Sequence, residues 1–226
     1  MNRNTFRYDF RRRQEDIMKH EWRKAEKELY LPQTSPVLVQ IPKQRFFIIQ
    51  GKGDPNGEDF AKRVETLYSL AYAIRMMPKN GFIPPGYFDY TVYPLEAVWS
   101  LTDRGQRMDT LDKNEFLYKL MIRQPDFADN GTILKAFEIA GRKKPSELLN
   151  EVMFEEIEQG MSVQILHVGP YDEEPVSFEK ISRFLEENGY QRSSKKHREI
   201  YLNDFRKTTP ARLKTVLRCQ IEKISP

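Results

Sequence analysis

The chain has 226 residues, of which 39% are hydrophobic and 31% are charged, a balance typical of a globular protein with a sizeable core. The formal net charge of +4 is mild, and lysines and arginines alternate with acidic residues, which argues against a nucleic-acid-binding surface. No apolar run is long enough to cross a membrane, and the first residues lack the apolar segment of a secretory signal. The single cysteine, Cys219, excludes an internal disulfide framework. We therefore expect a cytoplasmic protein that binds neither membranes nor nucleic acids.

Residues 1–36 are predicted to form an N-terminal helical arm. The stretch 5–30 is charged, with sparse apolar positions and no strong apolar stripe. Ile17, the aliphatic part of Lys24 and Leu29 are the expected contacts with the rest of the chain. The prolines that follow residue 31 end the arm, so the main domain is expected at 37–226.

The first half of this domain, a module at 42–130, reads as a strand, a helix and two more strands. Arg45 to Gln50 is an apolar, β-rich run that leads into a glycine-rich turn. Glu58 to Met77 has apolar residues at helical steps of three and four. Two β-type segments follow, Tyr87 to Leu101 and Glu115 to Gln124.

The second module, at 161–221, repeats this order after a helical connector at 131–160. Ser162 to Val168 reads as a strand and Pro175 to Asn188 as a helix that ends at Gly189. Two further strands are predicted, at Glu199 to Asn203 and Leu213 to Ile221.

The two modules share a register, which indicates an internal duplication. Gly51 and Gly169 each end the first strand of a module. A phenylalanine lies nine residues after each glycine and a leucine sixteen residues after it. The predicted fold class is α+β, with duplicated strand–helix–strand–strand modules that form an antiparallel sheet. Its helices lie on one face, and a central cleft between them is a natural site for a ligand.

Strand alternation places candidate site residues on the floor of this cleft. Tyr93, Ala97 and Trp99 share one face of a strand, and Glu199 and Tyr201 share a face in the other module. If Trp99 corresponds to Tyr201 under the pseudo-symmetry, Ala97 corresponds to Glu199. One carboxylate would then stand beside aromatic rings, and Glu199 is the first candidate for a functional acid.

Other candidates have a structural alternative that is at least as well supported. Tyr171 follows a Gly-Pro turn at the start of a helix, and Tyr68 and Tyr72 lie one helical turn apart at the edge of the core. Glu96 alternates away from Trp99, and His167 reads more readily as a hydrogen-bonded strand histidine. The sequence shows no metal-ligand spacing, phosphate-binding loop or Ser-His-Asp arrangement, so neither a metal nor a cofactor is expected.

Five segments resemble one known family, the GyrI-like small-molecule-binding domain proteins in their stand-alone form. They are GKGDPNGEDF at 51–60, YFDYTVYPLEAVWSL at 87–101, KLMIRQPDF at 119–127, VQILHVGPYDEEP at 163–175 and HREIYLNDFRKTTPARLKTVLR at 197–218. The resemblance implies two modules with a cleft that binds amphipathic or aromatic, often cationic, molecules. Some stand-alone members of the family are hydrolases that open the cyclopropane ring of DNA-alkylating compounds. The chain departs from the family pattern at Ala97-Val98, Arg198 and Phe205-Arg206-Lys207.

Three functions remain open at the level of sequence. The protein binds and sequesters a small amphipathic or aromatic molecule, or it hydrolyses cyclopropane-bearing electrophiles, or it inhibits a partner enzyme. In the second case Glu199 would activate water, Tyr171 would donate to the developing oxyanion, and Trp99 and Tyr201 would hold a flat ligand. The remaining candidates for ligand contact are Tyr68, Tyr72, Tyr93, Glu96 and His167. The sequence does not specify an oligomeric state.

Overall fold

The computed structural model describes residues 19–224, which form a curled antiparallel sheet with α-helices packed against it. The strands are β1 Val37–Ile41, β2 Gln44–Lys52, β3 Leu95–Leu101, β4 Phe116–Gln124, β5 Met153–Ile157, β6 Gly160–Val168, β7 Tyr190–Arg192, β8 His197–Tyr201 and β9 Lys214–Lys223. The α-helices are α1 Trp22–Ala25, α2 Lys27–Tyr30, α3 Glu58–Met76, α4 Asn130–Lys143 and α5 Glu174–Glu187. Short 3-10 turns lie at Pro78–Asn80, Gly105–Arg107, Lys113–Glu115, Glu147–Glu151, Tyr171–Glu173 and Pro210–Arg212.

The strand order shows the predicted duplication. It runs β1-β6-β9-β8-β3-β4-β2-β5, and β7 pairs with β9. One half contains β2, α3, β3 and β4, and the other contains β6, α5, β8 and β9. The halves meet where β3 pairs with β8 in the centre of the sheet. The predicted fold class is therefore confirmed.

Both module helices pack on the same face of the sheet. Phe60 of α3 stacks on Trp99 of β3, and Phe178 of α5 meets His197 of β8 edge-on. Trp99 and His197 are directly opposite each other in the β3–β8 pair, so their side chains point to one face. Apolar burial holds each helix there, with Leu67 representative of the first core and Ile181 of the second.

The N-terminal arm is more deeply buried than its sequence suggests. Trp22 of α1 and Tyr30 of α2 are each 1% exposed and belong to the main core. The Trp22 indole also donates a hydrogen bond to the carbonyl of Val92 at 3.0 Å. Of the predicted contacts, Leu29 packs against the core, the Lys24 side chain is exposed, and Ile17 lies outside the described residues. Two aromatic rings, rather than an aliphatic stripe, hold the arm in place.

The structure corrects several predicted elements. The predicted strand at 87–101 is a strand only from Leu95, and Phe88 and Tyr90 before it pack as a loop against Phe127. Pro94 has no amide hydrogen for a strand ladder, which fits the late start of β3. The second connector helix is the 3-10 turn Glu147–Glu151, and strands β1, β5 and β7 were not predicted. Within residues 19–224, no helix is both long enough and apolar enough to cross a bilayer.

Candidate functional site

A cluster of polar and aromatic side chains lies on the helical face where β3 meets β8. We call it the central cluster; it comprises Trp99, Glu174, His197, Glu199 and Tyr201. Ala97 lies opposite Glu199 and Trp99 opposite His197 in the strand pair. The small Ala97 side chain leaves the Glu199 carboxylate as the polar group at the centre of this floor. The alternation that brought Trp99, Glu199 and Tyr201 onto one face is the one that the sequence predicts.

Glu199 is held by hydrogen bonds at both of its oxygens. Its Oε1 lies 2.9 Å from Nε2 of His197, and its Oε2 accepts from the Tyr201 hydroxyl at 2.7 Å. The indole Nε1 of Trp99 donates to the same Tyr201 hydroxyl at 2.9 Å. Burial and the neighbouring Glu199 raise the pKa of Tyr201 well above its usual value, so Tyr201 remains a donor. The result is a buried carboxylate with a fixed orientation.

Glu174 is a member of the cluster that the sequence analysis missed. It is the first residue of α5 and is 8% exposed, as is Glu199. Its Oε1 is buried and has no hydrogen-bond partner. Burial, then the proximity of Glu199 and Asp172, raises the pKa of Glu174 well above the usual carboxyl range. A signal was present, because Glu174 lies one helical turn before Phe178 and so extends the inward stripe of α5.

Of three tyrosines that the sequence offers as site residues, Tyr171 lies at the rim of the central cluster, and Tyr68 and Tyr72 lie on α3. Tyr171 is 37% exposed, and its ring meets that of Tyr201 edge-on with centroids 6.1 Å apart. Burial and Glu199 raise the pKa of Tyr171, so its hydroxyl keeps its proton. Tyr68 packs against the main core, whereas Tyr72 is 53% exposed, with its ring 6.2 Å from that of Tyr68.

The structure places three other predicted residues away from the central cluster. The Tyr93 hydroxyl donates to Oε1 of Glu26 in the arm, at 2.7 Å. Glu96 is fully buried on the opposite face of the sheet, where Arg198 donates to it at 3.2 Å. The two ring nitrogens of His167 lie 3.0 Å from the Ser177 hydroxyl and from the carbonyl of Pro170. Each of the three has a structural partner in these positions.

The two acids of the central cluster lie deeper than its aromatic side chains. Glu174 and Glu199 are shielded, while Trp99, His197 and Tyr201 are half-buried. Two surface concavities of the described residues lie elsewhere, one beside the 203–214 segment and one between Pro36 and the outer side of α5. A ligand that reaches the acids would approach past the half-buried aromatic rings.

The fold and this arrangement define a class of small-molecule-binding domain. The chain belongs to the GyrI-like small molecule binding domain family, whose model matches residues 34–221. It is similar to a hydrolase from Listeria innocua, with 34% identity and a TM-score of 0.82, and the match covers 90% of this chain and 100% of that one. It is also similar to an uncharacterised conserved protein from Listeria innocua, with 36% identity, a TM-score of 0.83 and the same coverage. No curated protein sequence matches the chain.

Proposed function

We propose that the protein binds flat aromatic or amphipathic molecules over the central cluster and hydrolyses those that carry an electrophilic cyclopropane. Membership of a small-molecule-binding family supports the binding step. The similarity to a Listeria hydrolase supports the chemical step. The observation that carries the proposal is the Glu199 carboxylate, buried among aromatic rings and oriented at both oxygens.

Aromatic side chains supply the binding surface in this proposal. Trp99 is stacked on Phe60 at 6.0 Å with an interplanar angle of 14°, and Tyr171 and Tyr201 form a second pair of rings. Such rings bind flat apolar molecules by stacking and by burial of apolar area. A cationic ligand gains a further attraction to the ring faces and to Glu199.

The chemical step is the addition of water to a cyclopropane that is conjugated to a carbonyl group. The water oxygen forms a bond to a ring carbon while a C–C bond of the ring breaks, and the electron pair of that bond moves to the carbonyl oxygen. Glu199 takes the proton of the attacking water, and the Tyr171 hydroxyl donates a hydrogen bond to the developing oxyanion. The proton that Glu199 has taken then passes through solvent to the product oxygen, so water is added overall.

Replacement of Glu199 by Gln tests this assignment, because the shape is kept while the basicity is lost. We expect turnover of a strained aromatic electrophile to fall by roughly 10²–10⁴-fold, with the affinity for a neutral substrate nearly unchanged. Water addition is measured by mass spectrometry and affinity by fluorescence titration. Glu186→Gln, which changes an exposed glutamate on α5, serves as the matched control and should retain full turnover.

Undiminished turnover in the Glu199→Gln variant would exclude this residue as the base. Absence of turnover in the parent protein on a panel of strained electrophiles would exclude the hydrolase function.

Binding without chemistry is the second candidate, and one observation favours it. Both Glu199 oxygens already accept hydrogen bonds, an arrangement that suits a fixed counter-charge for a cation. In that case Glu199→Gln should weaken the binding of a cationic aromatic ligand by about 1–3 kcal/mol and leave a neutral ligand unaffected. Calorimetry with a matched pair of cationic and neutral ligands distinguishes this outcome from the first.

A further inference from the structure

Three potential metal ligands converge in the central cluster, although they are distant in sequence. One carboxylate oxygen of Glu174, one ring nitrogen of His197 and one carboxylate oxygen of Glu199 lie within 4.8 Å of one another. His197 and Glu199 occupy alternate positions of β8, so the strand directs both side chains to the same face. Glu174 approaches from the first turn of α5.

The unpartnered carboxylate of Glu174 points to a missing ligand. A buried carboxylate normally has hydrogen-bond donors, because burial of an acceptor without a partner is unfavourable. Glu174 is 8% exposed and its Oε1 has no partner, while its nearest charged neighbours include the acids Glu199 and Asp172. A bound cation would give this oxygen a partner and would balance the two buried acids.

We propose that Glu174, His197 and Glu199 form a binding site for a divalent transition-metal ion of the zinc or manganese type. One imidazole and two carboxylates form a donor set that suits these ions better than the softer, thiol-binding ones. Three protein ligands leave at least one coordination position for water or a substrate atom, as in catalytic rather than structural sites.

The geometry requires only a small adjustment to bind an ion. Ligand bonds to zinc are about 2.0–2.2 Å long, so tetrahedral ligand atoms lie about 3.4 Å apart. The nitrogen of His197 and the Oε1 of Glu199 are already 2.9 Å apart. A side-chain rotation of Glu174, which no hydrogen bond to its Oε1 restrains, would bring the third ligand within range.

Neighbouring residues already hold two of the three ligands in position. The Tyr201 hydroxyl donates to Oε2 of Glu199, the oxygen that does not face His197. The ring of Phe178 packs edge-on against the His197 imidazole, with centroids 4.8 Å apart. Such surrounding contacts orient metal ligands and strengthen binding. Metal binding at this site does not require the proposed hydrolysis, and the two proposals share only the carboxylate of Glu199.

Direct metal binding to the full chain tests the proposal. The protein is stripped with a chelator and titrated separately with Zn²⁺ and Mn²⁺ by calorimetry, and the bound metal is quantified after dialysis. We expect one ion per chain for at least one of the two metals. Glu174→Gln should weaken that binding by at least tenfold, whereas Glu173→Gln, which changes the exposed neighbouring acid, should not.

Cobalt provides a readout that does not depend on how well a variant folds. Co²⁺ bound to the parent protein should give visible d–d absorption, and Zn²⁺ should displace it. Absence of binding to the parent for both titrated metals, absence of the cobalt band, or equal affinity in the Glu174→Gln variant would each overturn the proposal.

Discussion

A single glycine sets the packing beside the central cluster. A Cβ atom added to Gly51 would lie only 2.3 Å from Cε2 of Tyr118, whose ring centroid is 5.6 Å from that of Trp99. The Tyr118 hydroxyl is also anchored to Asp59 at 3.1 Å, which limits movement of the ring. The glycine that the sequence marks as the end of a strand is therefore also a point of close approach.

Gly51→Ala is expected to reduce the free energy of unfolding by about 1–3 kcal/mol, the range for overpacking a core. The control is Gly131→Ala near the start of α4, where the added Cβ meets only Oδ1 of Asp129, at 3.6 Å. That change should be neutral or stabilising, because alanine favours a helix over glycine. Urea denaturation measures the free energy of unfolding of both variants. An equal loss of stability in the two would show that Gly51 is not required for close packing against Tyr118.

At the residue scale, the sequence predicted the positions that depend on strand alternation. Trp99, Glu199 and Tyr201 share a face because the period of a strand is two, and Ala97 lies opposite Glu199. The strand register places Trp99 opposite His197 rather than Tyr201. The indole of Trp99 still reaches the Tyr201 hydroxyl, because the tryptophan side chain is long. Glu174 was not foreseen, because its position depends on how α5 docks over β8. His197 was missed because the predicted strand began at Glu199, although alternation places both residues on one face.

The arm is held to the sheet by an ionic contact as well as by its two aromatic rings. Glu26 accepts hydrogen bonds from Tyr93 and Arg123, and its Oε1 lies 2.9 Å from the ring of His20. Burial alone would raise the pKa of Glu26, but Arg123, His20 and Tyr93 outweigh it and hold the pKa below its usual range.

This lowered pKa predicts a pH-dependent contribution to stability. A carboxyl group with a depressed folded-state pKa stabilises the protein above its unfolded pKa, and the contribution is lost as pH falls through the folded value. Glu26→Gln should therefore lower the free energy of unfolding by about 1–3 kcal/mol at neutral pH. The difference in the free energy of unfolding between this variant and the parent should shrink as the pH falls below the usual carboxyl pKa.

Denaturation curves between neutral pH and the acidic range measure this difference, with Glu28→Gln at an exposed position of the adjoining helix α2 as the control. A deficit that is independent of pH would show that Glu26 acts through packing rather than through its charge.

At the element scale, the helices and the paired inner strands could be predicted, and the outer strands could not. α3 and α5 have long stretches with apolar residues at helical spacing, which is a local signal. β5 and β7 contain five and three residues, and their strand pairing is set by distant partners, β2 and β9. β1 is likewise a strand through its pairing with β6.

On the scale of the whole molecule, the arm joins the two halves of the sheet. The direct contact between β3 and β8 consists of four paired positions, from Glu96 to Trp99. The arm bonds to the first half through Val92 and Arg123. It bonds to the second half through Gln164 and Arg218, which donate to the carbonyls of Glu28 and Leu29. The arm precedes the family match at 34–221, yet it supports the seam on which the central cluster lies.

Trp22→Ala is expected to lower the free energy of unfolding by about 3–5 kcal/mol, because it leaves a cavity in the main core. It should also increase hydrogen exchange at the amides of β3 and β8, since the arm no longer holds the two halves together. Tyr72→Ala, which removes a mostly exposed ring, is the control. Unchanged exchange along the seam would show that the arm stabilises the protein without joining its halves.

The pairing of Ala97 with Glu199 has a consequence for how a ligand would bind under the proposed function. A duplicated fold presents two nearly equivalent approaches to the seam, but only one half supplies a carboxylate there. A molecule with one reactive or charged end is thus accommodated in a single orientation, with that end towards β8 and the remainder over α3. The two halves of the duplicated scaffold would then have different roles. One half carries the reactive group, and the other sets the shape of the molecule that reaches it.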